Sequence, residues 1–328
     1  MSRSTNTLLK SSFWVSLIIT GFLVGNGLAQ ETYPSKPITM ICGWGAGGML
    51  DVMTRTISQA AEKEIGQPII VENKVGAGGV IAKNYVCKSK PDGYTLGTTV
   101  TSTYIVQPHT RKTPYDPMTD IADIMTFAKY NNALAVRVDA PLNSYEDVIA
   151  YAKKYPGKFT YATAGVGTLP HIVAERMAMK EGFKWTHVPF KSGPEGVGAV
   201  LGGHVDGVFM GSADIVPHVK ANKLKVLLIT SDTRWPSVPN ISTILEKGYD
   251  FYHMSFISIY GQKDLPEPIR QKLEQAFKNA MKDPNFVERI NNFQLETAYL
   301  SGKEYSAKWR SDYPEMGKIL NALGLIQK

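Results

Sequence analysis

The first hydrophobic pattern in the chain is an apolar run at residues 37–42, which leads through a glycine-rich turn into an amphipathic helix. From Leu50 to Ile65 the apolar residues recur at the period of one helix face. Gly66 then occupies the position of a helix C-cap, and Pro68 prevents the helix from continuing. A second short apolar strand follows. This pattern predicts a strand–helix–strand unit, the building block of parallel α/β sheets.

The same alternation of strand and helix patterns continues along the chain and predicts an α/β fold. Further strands are predicted at residues 94–99, 133–138, 159–162, 205–210, 225–230 and 256–260. Further helices are predicted at residues 82–88, 144–155, 171–180, 266–280 and 305–320. Two glycine-rich turns, at 43–48 and 165–168, each follow a strand and open a helix. They indicate two similar lobes, with ligand sites in loops at the carboxyl ends of the strands.

The N-terminal segment has the features of a secretory signal peptide. Arg3 and Lys10 form a positive region, residues 13–24 are apolar, and Gly27 and Ala29 supply the small residues that a signal peptidase requires. Because the apolar run is short for a membrane span, we expect residues 1–29 to be cleaved and the mature chain to be soluble. An uncleaved membrane anchor is the alternative.

The composition is that of an ordinary globular protein, with 43% hydrophobic and 20% charged residues. The length of 328 residues predicts two domains. Cleavage of residues 1–29 would remove Arg3 and Lys10 and lower the formal net charge from +7 to +5, which still favours the approach of anions. The absence of a basic stripe interleaved with aromatic residues argues against nucleic-acid binding. For Cys42 and Cys87 we expect two buried free thiols. A disulfide between them is the alternative that an oxidising compartment permits.

The glycines of the first turn let backbone N–H groups approach a ligand closely. The helix that follows directs its positive end at the same place, so the turn favours a carboxylate or a phosphate. A nucleotide is disfavoured, because the glycine spacing differs from the dinucleotide fingerprint and the turn has no P-loop lysine. A tight strand-to-helix turn without a ligand is the alternative.

The second turn, at residues 162–171, repeats this chemistry. Its small residues free the backbone, and Thr163 and Thr168 add hydroxyl groups. His171 stands at the start of the next helix, where it either contacts the ligand or only caps and packs.

Catalytic patterns are missing from the sequence. It contains no Gly-x-Ser-x-Gly segment, which a serine hydrolase of the α/β class would need. The six histidines include no pair spaced by three or four residues, so a helical zinc site is not expected. We therefore expect a binding protein without a cofactor, and not an enzyme.

Five segments carry a family resemblance that spans essentially the whole mature chain. They are Tyr33-Pro34-Ser35-Lys36-Pro37-Ile38, Ala46-Gly47-Gly48 with Asp51, the run from Gly66-Gln67-Pro68 to Gly76-Ala77-Gly78-Gly79, Lys90-Pro91-Asp92-Gly93-Tyr94-Thr95-Leu96, and His187-Val188-Pro189-Phe190-Lys191 with Leu201-Gly202-Gly203-His204-Val205-Asp206. In this order they resemble the extracytoplasmic solute-binding proteins of tripartite tricarboxylate transporters, often called the Bug family.

The resemblance implies a periplasmic protein with a type II two-lobe fold, the Venus flytrap, in which the chain crosses twice between lobes. It places lobe I at residues 30–131 plus 254–328 and lobe II at residues 132–253. It further implies a monomer that captures a small carboxylate and delivers it to the membrane subunits of a tripartite tricarboxylate transporter. A chemosensory or signalling receptor for the same ligands is an alternative, and a secreted enzyme on the same scaffold is a weaker one.

The resemblance also implies which residues bind the ligand, position by position. In lobe I they are Trp44, Gly45, Ala46, Gly47, Gly48 and Asp51, together with Thr98, Thr101 and Ser102 after a later strand. In lobe II they are Thr163, Ala164, Gly165, Val166, Gly167, Thr168 and His171, together with Phe190, Lys191 and Asp206. Backbone groups and ordered waters hold the carboxylate in such proteins, so few charged side chains are needed. Alternatively, Asp51 caps its helix, Phe190 belongs to the core and Lys191 points to solvent.

The first loop departs from the family pattern, which usually has prolines and small hydroxyl residues there. Trp44, Met49 and Leu50 make this side of the expected site apolar and aromatic. We therefore expect a ligand that has a hydrophobic or aromatic body beside its carboxylate, and not citrate.

Overall fold

The computed structural model describes residues 33–252 and 254–326, which form two β-sheets flanked by helices. The predicted signal peptide lies outside the described residues. The strands are β1 (Ile38–Cys42), β2 (Ile69–Asn73), β3 (Thr95–Val100), β4 (Ile121–Tyr130), β5 (Asn132–Arg137), β6 (Thr160–Thr163), β7 (Thr186–Pro189), β8 (Gly207–Gly211), β9 (Leu224–Ile229), β10 (Ser255–Gln262) and β11 (Glu296–Ser301). The helices are α1 (Met49–Ile65), α2 (Val80–Cys87), α3 (Ser102–Ile105), α4 (Gln107–Thr110), α5 (Tyr145–Lys154), α6 (Leu169–Glu181), α7 (Gly193–Leu201), α8 (Ser212–Lys220), α9 (Glu267–Ala280), α10 (Pro284–Asn292) and α11 (Gly302–Ala322).

The first sheet has six strands in the order β11-β4-β10-β3-β1-β2. Helices α1, α9 and α10 cover one of its faces, where Met53, Leu273 and Phe286 belong to one buried apolar cluster. Helices α2, α3 and α11 cover the other face, and Tyr104 and Trp309 lie in that cluster. Two packed faces account for the nearly continuous apolar character of strands such as β1.

The second sheet has five strands in the order β7-β6-β8-β5-β9. Helices α5 and α6 pack on one face around Phe209 and Met177. Helices α7 and α8 pack on the other face around Val208 and Ile215. The chain is thus a mixed α/β structure with two separate sheets, which agrees with the α/β class that the sequence predicts.

The strands next to the points where the chain changes sheets are antiparallel, although the strand–helix–strand pattern predicts parallel pairing. Strand β10 runs antiparallel to both β3 and β4, and β5 runs antiparallel to both β8 and β9. Strand β5 enters its sheet directly from β4 through Asn131, and β10 enters its sheet from the second one, so neither strand follows a strand–helix unit of its own sheet.

The division of strands between the sheets follows the chain simply. Residues 38–130 and 255–301 supply the first sheet, and residues 132–229 supply the second. The chain therefore changes sheets at Asn131 and again between β9 and β10. The predicted lobe boundaries at 131 and 253 stay a prediction, which this arrangement supports.

The two cysteines are free, with Cys42 buried and Cys87 partly buried. Cys42 belongs to the apolar cluster on one face of the first sheet, whereas Cys87 packs against the cluster on the other face. The sheet between them explains why the alternative of a disulfide is not realised. Within the described residues, no helix combines the length and apolar character that a membrane crossing requires.

Candidate functional site

A cleft opens where loops of the two sheets face each other. It holds about 640 Å³ of space, including its opening to solvent. From the side of the first sheet it is lined by Trp44, Gly45, Gly48, Met49, Leu50, Val100, Ser102 and Tyr130. From the side of the second sheet it is lined by Asn132, Ala164, Thr168, Leu169, Pro170, Ser192, Gly193, Met210, Gly211 and Asp214. Both glycine-rich turns that the sequence singles out thus reach one cavity.

The first turn connects β1 to α1 and leaves the start of that helix open. Gly48 is the N-cap of α1, and no side chain caps the helix. Its first N–H groups are therefore available to a ligand, since they have no partner within the helix. Gly47 adopts a φ of +77°, a left-handed conformation that glycine tolerates without strain.

Asp51 stabilises this turn through hydrogen bonds. Its carboxylate accepts hydrogen bonds from Gly47 N at 2.9 Å, Asn73 Nδ2 at 2.8 Å and Arg55 Nε at 3.1 Å. Burial alone would raise the pKa of Asp51, but the bonds from Arg55, Gly47 and Asn73 hold that pKa below its usual value. Asp51 is 3% exposed, and its carboxylate is engaged in supporting the turn.

Trp44 forms part of the apolar wall of the cleft. Its ring lies against Gly79, where a Cβ atom would come within 2.6 Å of the ring. Its carbonyl oxygen accepts a hydrogen bond from Asn73 Nδ2 at 2.9 Å. Met49 and Leu50 from the start of α1 continue the wall. The apolar side that the sequence predicts is therefore present in the cleft.

The second turn connects β6 to α6 and is braced by its own polar side chains. Thr163 Oγ1 and Thr168 Oγ1 both donate to the carbonyl oxygen of Gly165 at 3.0 Å. Thr168 is the N-cap residue of α6 but does not cap it with its side chain. The hydroxyl groups therefore shape the loop, and the start of α6 is left open to the cleft as the start of α1 is.

Two stacked histidines support the second turn. The rings of His171 and His187 lie with their centroids 4.0 Å apart. His171 Nδ1 accepts a hydrogen bond from Gly167 N at 3.2 Å, and His187 Nε2 is hydrogen-bonded to Thr163 Oγ1 at 2.7 Å. Burial, together with the neighbouring His187, lowers the pKa of His171 to about 3, and burial lowers the pKa of His187 to about 4. Both rings are therefore neutral at physiological pH.

The two sides of the cleft touch each other in this structure. Gln107 Nε2, from α4, donates to the carbonyl oxygen of Gly167 in the second turn at 2.9 Å. Ser212 Oγ, at the start of α8, donates to Phe293 O, just after α10, at 2.7 Å. These contacts join elements that pack on different sheets, so they hold the cleft in its present width.

Residues 53–325 match the model of a protein family described as the tripartite tricarboxylate transporter family receptor. The chain belongs to this family. The match covers most of the chain, and it confirms the family that the sequence motifs indicate.

Named relatives agree with this assignment. The receptor is 36% identical over 300 residues to the UPF0065 protein in the gbd 5' region of Cupriavidus necator, which covers 90% of each chain. The solved structure of the periplasmic binding protein BugD superposes with a TM-score of 0.84 at 26% identity, covering 90% of the receptor and 100% of BugD. The structure of R. palustris Rpa4515 with adipate also gives a TM-score of 0.84, at 23% identity over 89% and 98% of the chains, and at that identity the likeness shows the fold alone. The two-lobe fold is thus confirmed.

The other predicted binding residues of the first lobe are distributed unevenly around the cleft. Ser102 lines it, whereas Thr98 is fully buried and hydrogen-bonded to Thr54 Oγ1 at 2.7 Å. Thr101 is hydrogen-bonded to Tyr305 and accepts a bond from Phe256 N at 2.9 Å, inside the first lobe. Thr98 lies within β3, whereas Thr101 and Ser102 follow it directly, and the sequence alone does not show which of the three side chains reaches the cleft.

Asp206 requires a correction, because the receptor places it at the other end of its sheet. Its carboxylate accepts two hydrogen bonds from Thr160, from the backbone N and from Oγ1, both at 2.7 Å. Thr160 begins β6, and Asp206 comes directly before β8, whereas the cleft lies where these parallel strands end. Lys191 is exposed, and Phe190 packs against a buried cluster of the second lobe. Both positions agree with the alternatives given above, in which Lys191 points to solvent and Phe190 belongs to the core.

Asp214 is the charged residue that sequence reasoning missed. It lies in the first turn of α8 and lines the cleft, where burial raises the pKa of its carboxyl group to about 7. Tyr130 and Asn132, on either side of the crossing at Asn131, were also missed. A signal for Asp214 was present, since the segment 211–214 follows a predicted strand as the two glycine-rich turns do.

Proposed function

We propose that this chain is an extracytoplasmic receptor that captures a small carboxylate between its two lobes and delivers it to a tripartite tricarboxylate-type membrane transporter. One observation carries the proposal: the starts of α1 and α6, which come from different sheets and lack side-chain caps, face the same cleft. The proposal includes the predicted lobes (30–131 plus 254–328, and 132–253), export by the N-terminal signal peptide and a monomeric receptor.

The physical basis for a carboxylate is the electrostatics of helix starts. The first N–H groups of a helix point outward, and the aligned peptide dipoles place partial positive charge there. Helices α1 and α6 have 17 and 13 residues, so both are long enough to present such an end. A carboxylate between them would receive hydrogen bonds without a charged side chain.

The rest of the cleft supports a ligand with an apolar or aromatic body. Trp44, Met49 and Leu50 on one side face Leu169, Pro170 and Met210 on the other. Burying apolar ligand surface there contributes about 25 cal/mol per Å². A ligand as polar as citrate would leave its additional carboxylates against this wall.

A thermal-shift screen of small acids tests the proposal. We expect no stabilisation by citrate and clear stabilisation by aromatic or branched aliphatic acids, because a ligand at 100 times its dissociation constant adds about 2.7 kcal/mol to the free energy of unfolding. Stabilisation by citrate alone would refute the apolar body. Loss of uptake of the identified acid after deletion of the receptor would support transport, whereas retained uptake with lost chemotaxis would favour the signalling alternative.

A further inference from the structure

Among the described residues that line the cleft, Asp214 carries the one carboxyl group. Asp214 is half-buried, and within residues 33–252 and 254–326 no side-chain hydrogen bond or ion pair joins its carboxyl group to another residue. The other lining residues carry no formal charge at neutral pH. Such an acid is unexpected in a site that is otherwise suited to an anion, because a second negative charge would repel it.

Neighbouring described elements surround the Asp214 carboxyl group but supply no hydrogen bond to it. It lies against Gly193 at the start of α7, where a Cβ atom would come within 2.3 Å of its Cγ. Tyr130 from β4, Asn132 from β5 and Ser192 before α7 line the same cavity, and Tyr130 is the one titratable group among them. Burial, together with the charge of Asp214, raises the pKa of Tyr130 to about 12, so that phenol is neutral.

A carboxylate that is buried and unpaired is destabilising, and a ligand cation would relieve that cost. The cleft therefore offers two opposite electrostatic ends: open helix starts at α1 and α6, and a carboxylate at the start of α8. The apolar wall lies in the same cavity. A ligand with a carboxylate, a protonated nitrogen and an apolar body matches these three features at once.

We propose that Asp214 binds a protonated amino group of the ligand, so that the receptor selects amino-group-bearing carboxylates over the corresponding simple acids. This inference rests on the proposed function, since it names the substrate class of the same cleft. The ion pair would form inside the cleft, away from bulk water, and a charge-assisted hydrogen bond is stronger there than in water.

Matched ligand pairs test this inference. We would measure dissociation constants by isothermal titration calorimetry at pH 8 for L-leucine against 4-methylpentanoate, L-phenylalanine against 3-phenylpropanoate, and 5-aminopentanoate against pentanoate. The variant is Asp214→Asn, which keeps the shape and removes the charge. The control is Asp206→Asn, at the opposite end of β8, where an amide oxygen can still accept from Thr160.

The inference predicts that an amino compound binds at least tenfold more tightly than its matched acid. Asp214→Asn should abolish that difference, and Asp206→Asn should leave it intact. Equal affinities within every pair, or an equal loss for both members in Asp214→Asn, would overturn the inference and leave the proposed function standing. Tighter binding of adipate at pH 6 than at pH 8, lost in Asp214→Asn, would also overturn it, because Asp214 would then donate a proton to a second carboxylate. Absence of binding by every compound would overturn the proposed function itself.

Discussion

At the scale of single residues, several polar side chains near the cleft form hydrogen bonds to the loops that line it. Asp51 supports the first turn, and the stacked pair His171 and His187 supports the second. Their side chains are occupied by Gly47, Gly167 and Thr163. Polar residues near a glycine-rich turn can thus be essential to a binding site without contacting what it binds.

The histidine pair predicts a specific acid sensitivity. The folded-state pKa values of about 3 and about 4 lie below the ordinary value of 6.5, so the unfolded chain takes up protons first as the pH falls. The free energy of unfolding should therefore decrease from about pH 6.5 towards pH 4, by roughly 2 kcal/mol per histidine at pH 5. Urea unfolding of the wild type and of His187→Gln at pH 7.5 and pH 5 measures this decrease in the free energy of unfolding.

We expect His187→Gln to lose less stability than wild type over this interval. The exposed His204 provides the control, and His204→Gln should behave as wild type does. Identical losses in all three proteins would show that the histidine pair does not titrate as described.

For Asp214 we predict the opposite pH dependence of the free energy of unfolding. Burial raises its folded-state pKa to about 7 from 3.8, so the folded state binds the proton more tightly and stability is lost as the pH rises through this range. Asp214→Asn should therefore raise the free energy of unfolding of the ligand-free receptor at pH 8, by about 1 kcal/mol or more, and have a smaller effect at pH 5. Urea unfolding at both pH values checks this, and a destabilised Asp214→Asn at pH 8 would contradict the account.

At the scale of elements, the cleft is built from places where a strand passes into a helix. The helix α7 contributes through Gly193, whose missing side chain leaves room for the Asp214 carboxyl group. In the same helix, a Cβ atom at Gly198 would meet nothing within 4 Å. The two glycines therefore allow a matched comparison.

Gly193→Ala should displace the Asp214 carboxyl group and weaken binding of an amino-group-bearing ligand by tenfold or more. Gly198→Ala should leave affinity unchanged and stabilise the helix by about 0.5–1 kcal/mol, because alanine loses less conformational entropy than glycine. Calorimetric titration and urea unfolding of both variants measure these effects. Equal affinities in the two variants would argue against a role for the position of Asp214.

The sequence predicts the elements whose signals are local. The turn before α1 and the capping box of Ser144 with Asp147 at α5 are encoded by neighbouring residues, and both are present. Strand β4 was not predicted, because its ten residues are defined by pairing with β10 and β11, which lie far away in the chain. The prediction that Asp206 binds the ligand was wrong for the same reason, since a sequence motif does not indicate at which end of a strand it lies.

At the scale of the whole molecule, the account depends on the approach of the two lobes. Gln107 Nε2 donates to Gly167 O at 2.9 Å across the cleft and joins α4 directly to the second turn. A hydrogen bond made only when the lobes approach stabilises the closed state and with it the bound ligand.

Gln107→Leu should weaken ligand binding about fivefold, because one such bond contributes about 1 kcal/mol. The unliganded receptor should also have a larger radius of gyration by small-angle X-ray scattering. Gln275, which lies on the exposed side of α9 and donates to Asn279 Oδ1, supplies the control as Gln275→Leu. Unchanged affinity and size in Gln107→Leu would mean that this contact does not favour closure.

The central claim is that a carboxylate is held between the starts of α1 and α6. The most direct test is a crystal structure of the receptor with the ligand that co-purifies from its native host. The account predicts a carboxylate bonded to backbone N–H groups of both glycine-rich turns, with the body of the ligand against Trp44. A ligand without a carboxylate, or a carboxylate that contacts neither turn, would contradict it.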